Sequence, residues 1–164
     1  VGVHNGVILN DEEIFERHAI QRYEPSMTVD TEAIFALVEG FGPWGKTLEQ
    51  LRGSMATAWV DERERGAVYL ARGVGRPLWT GESRDGIFFA STKHALEVSE
   101  EFLVLRLRKR ELPEGTILTL ESGRLACKER FRPDRGFTER PLPAVRAPGE
   151  RESCLRLLTA LASL

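Results

Sequence analysis

Two neighbouring residues near the start of the chain are the first to suggest chemistry. Asn5 carries a side-chain carboxamide, and Gly6, directly after it, has a backbone N–H that no Cβ obstructs, so the pair offers two hydrogen-bond donors able to converge on one oxygen. The same dipeptide is also an ordinary turn signal. Asp30 stands next to Thr31 ahead of an apolar stripe, where either side chain suits a helix N-cap. The only cysteines, Cys127 and Cys154, show no CxxC and no metal-ligand spacing, so neither a zinc site nor a disulfide framework is indicated and no cofactor is expected.

The elements that position these residues follow from the hydrophobic pattern. Val1 to His4 reads as a short strand delivered into a turn at Asn5-Gly6, after which Asn10-Asp11 caps a helix through Ile14, Phe15 and His18. A second helix opens at Asp30-Thr31 with Ile34, Phe35, Leu37 and Val38 as its stripe, and stops at Gly40 and Gly42-Pro43. Leu48 and Leu51 mark a short third helix ended by Gly53. From there the pattern turns to strands: 55–60 and 67–71 as a hairpin across a charged turn, then 77–79, 87–90, 116–120 and 125–131. Arg106, Arg108, Lys109 and Arg110 alternate with Leu105 and Leu107, the mark of a solvated strand face. Residues 133–149 form a Pro- and Arg-rich linker, and 150–164 a C-terminal amphipathic helix rich in Leu. Trp44, Trp59 and Trp79 read as core or edge aromatics, and His4 and His94 as packing or surface histidines.

Composition narrows the class. A length of 164 residues supports one sizeable core, and the net charge of -2 arises from 23 basic and 25 acidic side chains spread along the chain. No broad field is aimed at nucleic acid or at a membrane surface, and no apolar run approaches the ~20 residues of a bilayer span. Cytoplasmic location and small-molecule or protein partners are expected.

Several segments, in order, resemble the class II glutamine amidotransferases, among them glucosamine-6-phosphate synthase and the glutamine phosphoribosylpyrophosphate amidotransferase. His4-Asn5-Gly6 followed by Asn10 is similar to their HNG-x-x-x-N segment, and Asp30-Thr31-Glu32 to their S/T-D-T-E helix start. Leu51-Arg52-Gly53-Ser54-Met55-Ala56, Ala71-Arg72 with Gly75-Arg76-Pro77-Leu78, Phe89-Ala90-Ser91 with Ala95-Leu96, and Leu112-Pro113-Glu114-Gly115 resemble later family segments. The resemblance covers residues 1–131.

It implies an α+β fold, a four-layer α/β/β/α sandwich of the N-terminal-nucleophile hydrolase type, incomplete here at its N-terminus, with 1–132 as the glutaminase-like domain. It also implies hydrolysis of the glutamine side-chain amide to glutamate and ammonia. Asn5 and Gly6 would form the oxyanion hole, and Asp30 would bind the glutamine α-ammonium. Arg72 and Arg76 match family positions and are expected to support loops and strand ends. Partners would be glutamine and a synthase domain or separate chain that receives the ammonia, and the protein could be a homo-oligomer.

The resemblance breaks at the nucleophile, which in the family is a Cys at the start of the mature chain using its own α-amine as base. Val1 cannot act so, Cys127 and Cys154 lie far downstream, and the family's carboxylate-binding Arg precedes the Asn-Gly segment. The expectation is therefore an upstream segment that supplies the nucleophile, either cut away or on a separate polypeptide. Two other readings are a non-catalytic glutamine-binding or assembly module of the same fold, and a related amidase acting on other amides.

Overall fold

The computed structural model describes residues 1–24 and 29–137. Cys154, the helix expected over 150–164 and most of the expected linker lie outside the described residues.

The chain runs β1 (Gly2–Ile8), α1 (Asp11–His18), α2 (Thr31–Phe41), α3 (Gly45–Leu48), β2 (Gly53–Trp59), β3 (Ala67–Arg72), β4 (Trp79–Glu82), β5 (Ile87–Ala90), α4 (Lys93–Phe102), β6 (Arg108–Glu111), β7 (Thr116–Glu121) and β8 (Arg124–Arg130). The strands form two antiparallel sheets, one ordered β1-β2-β3-β7-β8 and the other β5-β4-β6. Helices with antiparallel sheets are what an α+β class requires.

Apolar alternation decides which face of the larger sheet each layer covers. Met55, Trp59, Tyr69, Ala71 and Ile117 join Ile14 and Phe15 of α1, Ile34, Leu37 and Val38 of α2, and Leu48 of α3 in one buried cluster. The opposite-facing residues Ala56, Ala58, Leu70, Leu118 and Leu120 pack with Leu78 and Leu112, flanking the smaller sheet, and with Ile87 of β5. Helix α4 lies against β4, β5 and β6 and buries Leu96. Among the described residues no helix is long and apolar enough to cross a membrane.

The structure corrects the turn expected at Asn5-Gly6. Strand β1 continues through both residues, with Asn5 opposite Ala56 and Gly6 opposite Met55, and the chain turns only after Ile8. The reason is the unbroken match of β1 to β2, which holds one register from Gly2↔Trp59 to Ile8↔Gly53. Helix α4 is an addition to the elements expected; Arg108, Lys109 and Arg110 of the Arg/Lys run fall on β6 between the buried Leu107 and Leu112, and Arg106 precedes the strand. Trp59 stacks on Tyr69 with centroids 5.2 Å apart and belongs to the core, Trp79 is half-buried on β4, and Trp44 is exposed.

Candidate functional site

Strand β1 is an edge strand of the larger sheet, so one side of its backbone meets β2 and the other is open. Val60 N–H donates to Val1 O at 2.9 Å and Leu9 N–H to Arg52 O at 2.8 Å, on the register that runs the length of the strand. Opposed residues of an antiparallel pair alternate between hydrogen-bonded and non-bonded sites. The odd-numbered residues therefore carry the ladder to β2, and the N–H groups of Gly2, His4, Gly6 and Ile8 face the open edge. Ile8 verifies the phase, because its N–H is taken there by Asp30 Oδ2 at 2.6 Å.

Side chains follow the same period. Asn5 and Val3 lie opposite Ala56 and Ala58 and share their face, the one turned to the smaller sheet. Asn5 is exposed and lines a cavity of about 280 Å³ with Val3, Ala58, Leu78, Phe89 and Ser91. At the sheet edge, then, the Asn5 carboxamide and the outward Gly6 N–H stand on successive residues. A carboxylate is tied to the strand two residues further on, about 6.6 Å away at the usual rise.

Asp30 sits at the N-cap position of α2, yet its side chain makes no cap hydrogen bond and reaches β1 instead. Thr31, the other candidate cap, is bound to His4, whose Nδ1 lies 3.0 Å from Thr31 Oγ1. His4 Nε2 lies 3.3 Å from Ser54 O. Burial, partly offset by the Ser54 carbonyl and by Asp30 and reinforced by Arg76, holds the His4 imidazole below the ordinary histidine range. His4 is thus more than a packing or surface residue; its even position in β1, on the same face as Gly6, is the sequence signal that places it here.

Gly6 has φ +149, and a Cβ there would sit 2.0 Å from Ser54 O and 2.7 Å from His4 Nε2. Only a glycine fits this approach of two strands. Asn10 is drawn in from the same side: its Nδ2 donates to Gln50 O at 3.0 Å and its Oδ1 accepts from Arg52 N–H at 2.8 Å, fixing the start of β2.

Other expected residues lie elsewhere. Arg72 braces a loop, donating to Leu112 O and pairing with Glu111 at 2.7 Å. His94 is on the surface of α4. Cys127 is exposed on β8, at the opposite edge of the sheet from β1, four strand spacings or about 19 Å away.

A family model described as the glutamine amidotransferase domain matches residues 1–98, more than half of the 164. The glutamine–fructose-6-phosphate aminotransferase (isomerizing) of Halalkalibacterium halodurans is 35% identical over 111 residues, 62% of this chain and 18% of that protein. Its counterpart from Campylobacter jejuni is 31% identical over 100 residues, 57% of this chain and 17% of that protein. The matched part thus spans less than a fifth of these relatives. Among solved structures, the glutamine phosphoribosylpyrophosphate amidotransferase from B. subtilis, complexed with ADP and GMP, superposes with a TM-score of 0.63 at 23% identity, covering 79% of this chain and 28% of that one. That likeness is one of fold.

Proposed function

The chain belongs to the class II glutamine amidotransferase domain family, and from that premise we propose that it is the oxyanion-hole and glutamine-binding part of a glutaminase. The observation that carries the reading is the outward-facing Gly6 N–H beside the exposed Asn5 carboxamide, two residues from the Asp30 carboxylate on the same open edge.

In this reading a cysteine thiolate contributed upstream of Val1, with its own α-amine as base, attacks the side-chain amide carbon of glutamine. The carbonyl oxygen becomes an oxyanion and accepts from Asn5 Nδ2 and Gly6 N–H; one such donor typically contributes about 2.7 to 4 kcal/mol. Collapse expels ammonia and leaves a thioester. Water then attacks the thioester through a second oxyanion in the same hole and releases glutamate. Asp30, with Oδ2 already oriented by Ile8 N–H, offers Oδ1 to the α-ammonium of glutamine. The packing of α1–α3, the larger sheet, the smaller sheet and α4 supports a four-layer α/β/β/α arrangement of the N-terminal-nucleophile type. Ammonia would pass to a synthase domain or separate chain.

The test is release of glutamate and ammonia from glutamine by the natural full-length protein and its Asn5→Ala variant. Asn5 is exposed on an edge strand, so its removal should leave stability within about 0.5 kcal/mol. Activity should fall about 10²- to 10³-fold. A folded wild type that releases no ammonia would instead favour the non-catalytic glutamine-binding or assembly module.

A further inference from the structure

We propose that His4 is a positioning residue, a neutral imidazole strut that holds Gly6 and Asp30 in fixed relation; the inference rests on the glutaminase reading and extends it to a residue which touches neither substrate nor nucleophile.

The hydrogen bonds define the strut without sight of a proton. A backbone carbonyl can only accept, so the nitrogen facing Ser54 O, Nε2, carries the hydrogen. In the neutral ring Nδ1 is then the acceptor, and Thr31 Oγ1–H donates to it. The ring therefore spans from β2 to the first residue of α2. Thr31 adjoins Asp30, and both residues have given up capping the helix to reach β1, Thr31 through His4 and Asp30 through Ile8 N–H. At its other end the ring lies under Gly6, where an added Cβ would come within 2.7 Å of Nε2. One end of the imidazole thus bears on the strand that carries the Gly6 donor, and the other on the helix start that carries the carboxylate. Asp30 and Arg76 are the charged groups that act on the ring, with opposite signs.

The two ends can be cut separately. An asparagine carboxamide oxygen reproduces the place of Nδ1, and a glutamine carboxamide nitrogen that of Nε2. In the full-length protein His4→Asn keeps the Thr31 link and loses the Ser54 link, so kcat should fall about tenfold with KM for glutamine nearly unchanged. His4→Gln keeps the Ser54 link and loses the Thr31 link, so KM should rise about tenfold with kcat nearly unchanged. A residue that merely fills space would lower the folded fraction or shift both parameters alike, and either result would overturn the proposal.

Selective ¹⁵N labelling of histidine and glycine provides a readout independent of turnover. The His4 ring should show one protonated nitrogen, Nε2, and the Gly6 amide should shift in His4→Asn more than in His4→Gln. Should wild type release no ammonia, the glutaminase reading fails alone: the strut stands on this spectrum, and falls if the ring carries its proton on Nδ1.

Discussion

Replacing Gly6 by alanine adds one methyl group at the tightest point between β1 and β2, and the structure gives the terms of its cost. At φ +149 an L-residue is strained by about 1–3 kcal/mol. The new Cβ would lie 2.0 Å from Ser54 O and 2.7 Å from its carbonyl carbon, where about 3.5 Å is comfortable. Ser54 cannot simply retreat, because the next residue is held on its far side by Met55 N–H to Val74 O at 3.0 Å and Gly73 N–H to Met55 O at 2.8 Å. Relief requires β1 to lift locally. That movement sacrifices the 3.2 Å bond from Val7 N–H to Ser54 Oγ and the His4–Ser54 link, each of them worth about 1 kcal/mol. Together these terms predict a loss of about 3 to 5 kcal/mol. Urea denaturation followed by tryptophan fluorescence, with buried Trp59 as a reporter, measures it. Gly40→Ala is the control of opposite sign. Gly40 lies inside α2 with nothing within 4 Å of a built Cβ, so alanine should stabilise by about 0.5–1 kcal/mol. A Gly6→Ala variant as stable as wild type to within about 0.5 kcal/mol would refute the account of the β1–β2 approach.

Asn10→Ala should cost about 2–3 kcal/mol in the same denaturation assay, since it removes a buried carboxamide and leaves Gln50 O and Arg52 N–H unsatisfied. Stability should also depend on pH through His4. Its folded pKa is lowered, so the unfolded chain binds more protons in the window just below the ordinary value of 6.5. Stability rises with pH across that window and its His4 contribution is complete above it; midpoints in urea from pH 5 to 7.5, compared with His4→Gln, should show a flatter profile in the variant.

Much of the core-forming scaffold was legible because its period was strong. The stripe Ile34, Leu37, Val38 buries one face of α2, and the nearly continuous apolar runs of β2, β3 and β7 bury both faces of those strands. What escaped lacked such a stripe. Helix α4 buries only Leu96 and leaves Val98 and Phe102 exposed, although Thr92 is an ordinary N-cap accepting from Ala95 N–H at 3.1 Å. Strand β8 is exposed along most of its length yet was recognised, because the Ser122-Gly123 turn sets it beside β7. At the candidate site, Asn5, Gly6 and Asp30 were legible as residue types. Their relative placement was not, because it depends on which backbone N–H groups of β1 face outward, a phase set by pairing with β2 rather than by local sequence.

Several such failures of local rules gather in one place, and the gathering is informative. Asn-Gly is a strong turn former, yet here it lies within a strand. Asp30 and Thr31 are good caps, yet neither side chain caps α2, and Asn10 heads α1 without capping it. Gly53 at φ +130 would place a Cβ 2.0 Å from Val7 O, as Gly6 would from Ser54 O. All of these exceptions meet where β1, the start of β2 and the first turn of α2 join. At α4, remote from this junction, Thr92 caps as its type predicts. A chain under selection for stability alone would let Asp30 or Thr31 cap α2, a gain of about 1 kcal/mol. Directing both side chains to β1 forgoes that gain and fixes instead the position of two outward N–H groups and one carboxylate, which is the arrangement expected where local preference has yielded to function.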